Sequence, residues 1–359
     1  AGDPARAAAG TPAAVRPDAA GRQSGAGAPG RPGTRGALPV GVPSRRRRGR
    51  RALVVLALVL ALLLAWPLGL AFWANGRLER VEATSGAADT PGTTYLLAGS
   101  DSRGDGSVVR QDSTEGERTD TIMLLHVPPS GPSTLLSLPR DTYTDVPGYG
   151  PAKLNAAFAW GGPPLLVASV EDLTGFTVDH YVEVGFDGVA GLVDALDGVE
   201  LCLDQDVSDQ KSKLEWTAGC HVSDGKTALA FARMRYSDPE GDVGRGARQQ
   251  QLIKAVTKEA ANVGTLVNPG EQVRLARAGT DALAVSQGTN ILDLGRMALA
   301  FRSATGPDGV TGTPWIASMD HRPGGVGSTV LLDDARNAEL YPAIMNGTLE
   351  PGKVGGVPE

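Results

Sequence analysis

Cysteine is nearly absent from this chain. Only Cys202 and Cys220 occur among 359 residues, so no zinc ribbon, no Cys/His cluster and no CxxC redox pair can be built. The four histidines, His126, His180, His221 and His321, are too scattered for a metal pattern. His126 and His180 fall in apolar runs and read as core or rim residues. Lysine is scarce beside arginine, and aromatic residues make up only 5% of the chain. The first 51 residues hold no aromatic residue at all. They are mostly Ala, Gly, Pro and Arg, which bury too little apolar surface to offset the entropy of ordering them. No Walker A pattern occurs, so a nucleotide is not indicated. No repeat period is visible.

Positive charge is also missing from most of the chain. Up to Arg51 there are eleven Arg and two Asp; beyond it 23 Lys and Arg face 38 Asp and Glu. An acidic globule excludes non-specific nucleic-acid binding, so no nucleic-acid partner is expected. The basic cluster from Arg45 to Arg51 abuts the run ALVVLALVLALLLAWPLGLAFWA, Ala52 to Ala74, which carries no charge. That run is long enough to cross a bilayer of roughly 30 Å. A cleaved signal peptide would have a shorter apolar region. Arginines before the span and none directly after it place the N-terminus inside. The reading is a single-pass cell-membrane protein: a disordered basic cytoplasmic tail (1–51), a transmembrane helix (52–74), a juxtamembrane stalk (75–92) and an extracytoplasmic domain (93–320). Residues 321–359 form a C-terminal extension. Both cysteines then lie outside the cell, where a Cys202–Cys220 disulfide would persist as a hairpin staple. The Arg-rich, Ala-, Gly- and Val-rich composition suggests a GC-rich genome such as an actinobacterium's.

Short apolar runs bounded by turn residues read as strands: TYLLA from Thr94, TIMLLHV from Thr121, TLLSL from Thr134, HYVEV from His180 and VELCL from Val199. Helices are expected from Pro164 to about Leu173, stopped by Gly175, over FDGVAGLVDAL from Phe186, and over DGKTALAFARMR with Asp224 as cap. Further helices are expected over Gly244–Leu266, Glu271–Val285 and Asn290–Phe301. Alternating strands and helices define an α/β fold, a sheet with helices on both faces. DHYVEV and VDALDGV read as core packing.

Chemistry concentrates at strand ends, where ligands bind in open α/β sheets. GSDSRGD (Gly99–Asp105) follows one strand and ERTDT (Glu117–Thr121) opens the next. The first of these reads equally as a polar loop. If the strands are neighbours, Asp101 and Asp120 converge and could hold one magnesium, a hard cation that takes oxygen ligands. LPRDTYTDVPG puts Arg140 and Asp141 at a third strand end, and KLNAAFAWGG begins with Lys153. FARMRYSDPEGDVGRGARQQQ supplies Arg233, Arg235, Arg245, Arg248 and Gln249. Arg245 lies in the first turn of a helix, where a cation opposes the dipole, so an anion is expected there. For any single Arg a salt bridge is the simpler reading. Together with Arg103, Arg118 and Arg140 the set suits a polyanion, since the guanidinium fork matches phosphate and several match pyrophosphate.

Taken in order, GSDSR, RTDTIMLLHV, LSLPRDTY, KLNAAFAWGGP, VDHYVEVGFDGVAGLVDALDGV and LAFARMRYSDPEGDVGRGARQQQLI resemble the LytR-CpsA-Psr family, over about residues 93–265. The resemblance implies a three-layer α/β/α sandwich with a central mixed sheet and a hydrophobic lipid tunnel, with Leu165, Leu166, Val189, Leu192 and Val193 as candidate walls. It implies a magnesium-dependent phosphotransferase that moves a polyprenyl-pyrophosphate-linked glycopolymer onto a peptidoglycan acceptor through a phosphodiester. By motif, Asp101 and Asp120 correspond to magnesium ligands. Arg118, Arg140, Lys153, Arg233, Arg235, Arg245 and Gln249 correspond to pyrophosphate-site residues, with Arg118 and Arg140 nearest the chemistry. Arg103, Arg248 and Gln250 are adjacent, and Asp141 would orient Arg140. Candidate bases for the acceptor hydroxyl are Asp120, Asp141 and Asp242. A polyprenyl-pyrophosphate hydrolase and a non-catalytic envelope regulator are the competing functions.

Overall fold

The computed structural model describes residues 45–100, 119–234 and 242–358. The chain divides into a unit ending at Leu58 and a second running from Val59. Every described residue of the first is in helix α1 (Arg45–Arg77). Strands β1 (Glu79–Val81), β2 (Thr93–Ser100), β3 (Thr119–Val127) and β4 (Thr134–Leu138) precede a hairpin, β5 (Tyr143–Val146) and β6 (Gly150–Lys153), and α2 (Leu154–Thr174). Next come β7 (His180–Gly185), α3 (Phe186–Ala195), β8 (Val199–Leu203), β9 (Val207–Asp209), β10 (Leu214–Trp216), β11 (Gly219–Ser223), α4 (Gly225–Arg233) and α5 (Asp242–Ala260). Then follow α6 (Val263–Val267), α7 (Pro269–Asp281), β12 (Leu283–Ser286), α8 (Ile291–Ala304), β13 (Val310–His321), β14 (Thr329–Leu332), α9 (Asp334–Met345) and β15 (Gly352–Gly356).

Nine strands form one mixed sheet, in the order β1-β12-β7-β2-β3-β4-β13-β14, with β15 also paired to β13. The central strands are apolar at successive positions because both faces are covered. Leu96, Ala98, Ile122, Leu124, Leu136 and Leu138 face α2 and α9, meeting Phe158, Leu166, Val170, Leu340 and Ile344. The alternate residues Tyr95, Met123, Leu125 and Leu135 face α8 through Met297, Ala300 and Ala304. The result is helix, sheet and helix in three layers. Each fully buried Leu contributes about 1.5–3 kcal/mol, so the twofold alternation fixes the register of the middle strands.

A second core packs away from the sheet. Val193, Leu201, Leu214, Trp216, Phe231, Met234 and Leu252 join α3, α4, α5 and the small strands β8 to β11. Asp224 caps α4, its carboxylate accepting from the Thr227 amide at 2.8 Å, as the sequence predicts. Cys202 and Cys220 sit opposite each other in the β8–β11 pair and are disulfide-bonded.

Several expected boundaries differ. The 75–92 segment, expected as a stalk, is partly built into the sheet. β1 pairs in parallel with β12, and Leu78 and Ala83 are buried. Val285, expected in a helix, belongs to β12; α7 stops at Asp281. The long helix expected to reach Leu266 ends at Ala260. The helix expected to open at Pro164 is the second half of α2, broken at Gly162 (φ 63°, ψ −156°); the prolines that follow start a new first turn without losing a bond. Residues 321–359 are no separate extension, because α9 closes the main core and β15 pairs with β13.

Candidate active site

Strands β2, β4 and β7 point the same way, so their carboxyl ends share one sheet edge with the start of β3. Ser100, the last residue of β2, is fully buried and its hydroxyl donates to Glu183 Oε1. Glu183 Oε2 accepts from the Tyr181 hydroxyl at 2.9 Å. A buried carboxylate therefore underlies the residue that precedes Asp101. Its motif, HYVEV, reads as plain core packing in the sequence. The signal that finds Glu183 is an acid at an inward position of a fully buried strand, where charge is costly unless hydrogen-bonded.

The β2–β3 register shifts at this edge. Gly99 pairs with Thr121 and Ser100 with Thr119, leaving Asp120 as the extra residue of a bulge in β3. Bulges recur beside active sites because they re-aim the chain. The Thr119 hydroxyl is buried and has no hydrogen-bond partner among the described residues. A buried polar atom without a partner costs about 1–3 kcal/mol, so a ligand for that oxygen is chemically expected. The Thr119 hydroxyl is an oxygen donor, and two carboxylates neighbour it along the chain: Asp120 follows it, and Asp101 follows Ser100, its partner in β2. That donor set fits a hard divalent cation. Among the described residues no cluster of three His, Cys, Asp or Glu makes a metal site by itself.

Arg140 and Asp141 follow β4, two strand spacings from β2, roughly 10 Å. Lys153, the last residue of β6, donates from Nζ to Asp141 Oδ1 at 2.8 Å. Arg140 Nε lies 3.5 Å from Asp141 Oδ2. Asp141 thus stands between two cations, both about 29% exposed. Ion pairs this open contribute no more than about 1 kcal/mol. Stability alone therefore gives little reason for the cluster.

From the second lobe, α5 brings Gln249 to the same edge, where its Oε1 accepts from Thr121 Oγ1 at 3.5 Å. Arg233 occupies the last turn of α4. Arg248 ties α5 to the end of α4. It is 5% exposed, its Nε donates to the Phe231 carbonyl at 3.2 Å, and its Nη2 donates to the Met234 carbonyl. These two bonds clip the end of α4, where Arg233 lies. Arg245 lies near the start of α5. The expected ligands Asp101, Arg103, Arg118 and Arg235 lie outside the described residues, as do the side chains of Asp120 and Arg245. Four of the candidate lipid walls belong to three packing clusters. Leu166 belongs to the sheet core, Leu165 packs beside Val146 and Ala157, and Val189 and Val193 belong to the second lobe.

With this arrangement in hand, the comparisons with known proteins agree. The chain matches the LytR_cpsA_psr family over residues 74–302 and belongs to that family. It is 40% identical over 311 residues to a Corynebacterium glutamicum protein named "Probable cell wall biosynthesis protein LcpB", covering 83% of this chain and 73% of that one. It is 35% identical over 215 residues to the polyisoprenyl-teichoic acid–peptidoglycan teichoic acid transferase TagU of Enterococcus faecalis, covering 59% of this chain and 67% of that one. Its fold is that of a LytR-Csp2A-Psr enzyme from Actinomyces oris, with TM-score 0.56 and 20% identity, over 77% of this chain and 99% of the other. The family match starts at residue 74, close to where α1 meets the sheet.

Proposed function

We propose that this protein is a glycopolymer phosphotransferase, moving a polyprenyl-pyrophosphate-linked cell-wall polymer onto peptidoglycan. The observation that carries the reading is Asp141 flanked by Arg140 and Lys153 at the sheet edge where Ser100, Glu183 and Gln249 also converge. Membership of a family whose relatives are named for cell-wall biosynthesis and teichoic acid transfer supports it. Arg140 and Lys153 bind the pyrophosphate, together with Arg103, Arg118, Arg233, Arg235, Arg245 and Gln249. Asp141 holds the first two in place. Asp101, Asp120 and the Thr119 hydroxyl would hold a magnesium ion, which would supply further charge neutralisation there. An acceptor hydroxyl oxygen bonds to the glycan-side phosphorus. The bond from that phosphorus to the bridging oxygen breaks, and its electron pair leaves on polyprenyl phosphate. Such transfer needs positioning and electrostatic stabilisation more than covalent help. Both Asp141 oxygens already face cations, so the acceptor proton passes to Asp120 or Asp242.

The uncharged stretch 52–74 of helix α1 would anchor the chain in the cell membrane, with the basic tail inside and the sheet domain outside. To test the activity, the detergent-solubilised full chain is incubated with lipid-linked glycan, with and without peptidoglycan. Transfer that requires peptidoglycan is expected. Glycan phosphate released equally without an acceptor would make the protein a hydrolase, and no turnover at all would leave an envelope regulator.

A further inference from the structure

Tyr149 and Trp160 stack on each other, with ring centroids 5.0 Å apart and planes 22° from parallel. Both remain in water, at 59% and 47% exposure. Beyond α1, no other aromatic side chain among those described is exposed. In a chain this poor in aromatic residues, two of them face solvent in contact. Single exposed apolar residues need no explanation; a stacked pair held by rigid backbone does. Tyr149 is flanked by Gly148 and Gly150, both left-handed (φ 80° and 85°), and its amide closes the turn on the Val146 carbonyl at 2.9 Å. Trp160 sits just before the break in α2 at Gly162. The neighbouring residues in sequence, Pro151, Ala159 and Gly161, are also exposed.

Lys153 joins this hairpin to α2. Trp160 lies six residues beyond Leu154, roughly 9 Å along the helix. The aromatic pair therefore sits on the same hairpin and helix that carry Lys153, about two helical turns from it. We infer that Tyr149 and Trp160 form a stacking platform for the sugar rings of the peptidoglycan acceptor strand. A pyranose presents one face of C–H bonds with slight positive charge, which complements the negative face of an aromatic ring, while its hydroxyls stay hydrated at the rim. The inference rests on the transfer reading for its choice of strand. The donor brings a pyrophosphate for Arg140 and Lys153 to hold. The acceptor hydroxyl itself brings no charge, so the sugar that carries it offers its C–H face and hydroxyls, and an aromatic pair suits that face.

The test is co-sedimentation of the full chain with purified insoluble peptidoglycan, without donor. Saturable binding is expected. Trp160→Ala and Tyr149→Ala should each weaken it about five- to tenfold, the scale of one aromatic contact, with Trp160→Phe close to wild type and thermal unfolding unchanged. In the transfer assay the acceptor KM should rise and the donor KM stay constant. Unaltered sedimentation in both alanine variants overturns the inference. So does a rise in donor KM alone, which would mark the pair as a hairpin staple or a donor contact. Sedimentation needs no turnover, so a chain that binds peptidoglycan through Trp160 yet transfers nothing would remove the transfer reading and leave the platform.

Discussion

Replacing Arg248 with Met separates two roles that a pyrophosphate-site arginine could play. Arg248 is buried at 5% exposure and donates to the Phe231 and Met234 carbonyls. Methionine keeps the aliphatic stem and removes the donors. Two carbonyls then lose their partner, each at about 1–3 kcal/mol when the group stays dry. A total near 3 kcal/mol lowers the unfolding midpoint of a domain of this size by about 6 °C. The assay is thermal unfolding followed by circular dichroism, alongside donor KM. If Arg248 is a positioning residue, the midpoint falls as worked out. Donor KM rises as well, because Arg233 sits one residue before the clipped Met234. A donor KM that rises while the midpoint stays put would refute the argument and make Arg248 a direct phosphate ligand.

Three further outcomes follow from the same structure. Alkylation of native protein without reductant should add nothing to Cys202 and Cys220, and reduction should cost about 3 kcal/mol for an 18-residue separation; two adducts by intact mass would contradict this. Asp101→Ala or Asp120→Ala should abolish both activity and the magnesium titration while leaving circular dichroism unchanged; preserved magnesium dependence would exclude that site. A cysteine at Gly86, which is exposed, should react with an impermeant thiol reagent on intact cells, and labelling of the tail instead would reverse the topology.

Elements with strong local signals were legible in the sequence. TLLSL is β4 from end to end, and HYVEV is β7 bar one glycine. Asp224 was readable as a cap because the shape of the motif is local. What escaped was long-range. β1 is three residues long, too short for any periodicity, and becomes a strand only because β12 lies beside it. β12 is four residues directly after a helix. The site shows the same division. Arg140, Asp141, Lys153 and Gln249 were readable as strand-end and helix-face polar residues. Glu183 was not, because a single acid within an apolar strand looks like noise until Ser100 and Tyr181 are seen to occupy both of its oxygens.

The join between α1 and the sheet bears on how the site meets its substrate. Trp66 Nε1 donates to Gln272 Oε1 at 2.6 Å, and Arg77 pairs with Asp281 at 2.7 Å. Asn75 accepts from the Ile291 amide at 3.1 Å. The last three turns of α1 thus lie along α7 and touch the start of α8, and a single residue, Leu78, separates α1 from β1. Surface contacts of this kind contribute little each, but they act on a connection that has no slack to absorb motion. A flexible stalk would let the site sample a range of heights above a bilayer, lowering the effective concentration of a lipid-held donor. A clamped helix removes that search. The site is then held at one distance from the end of α1, and if α1 anchors the chain in the bilayer that holds the donor lipid, the donor need reach across only one gap.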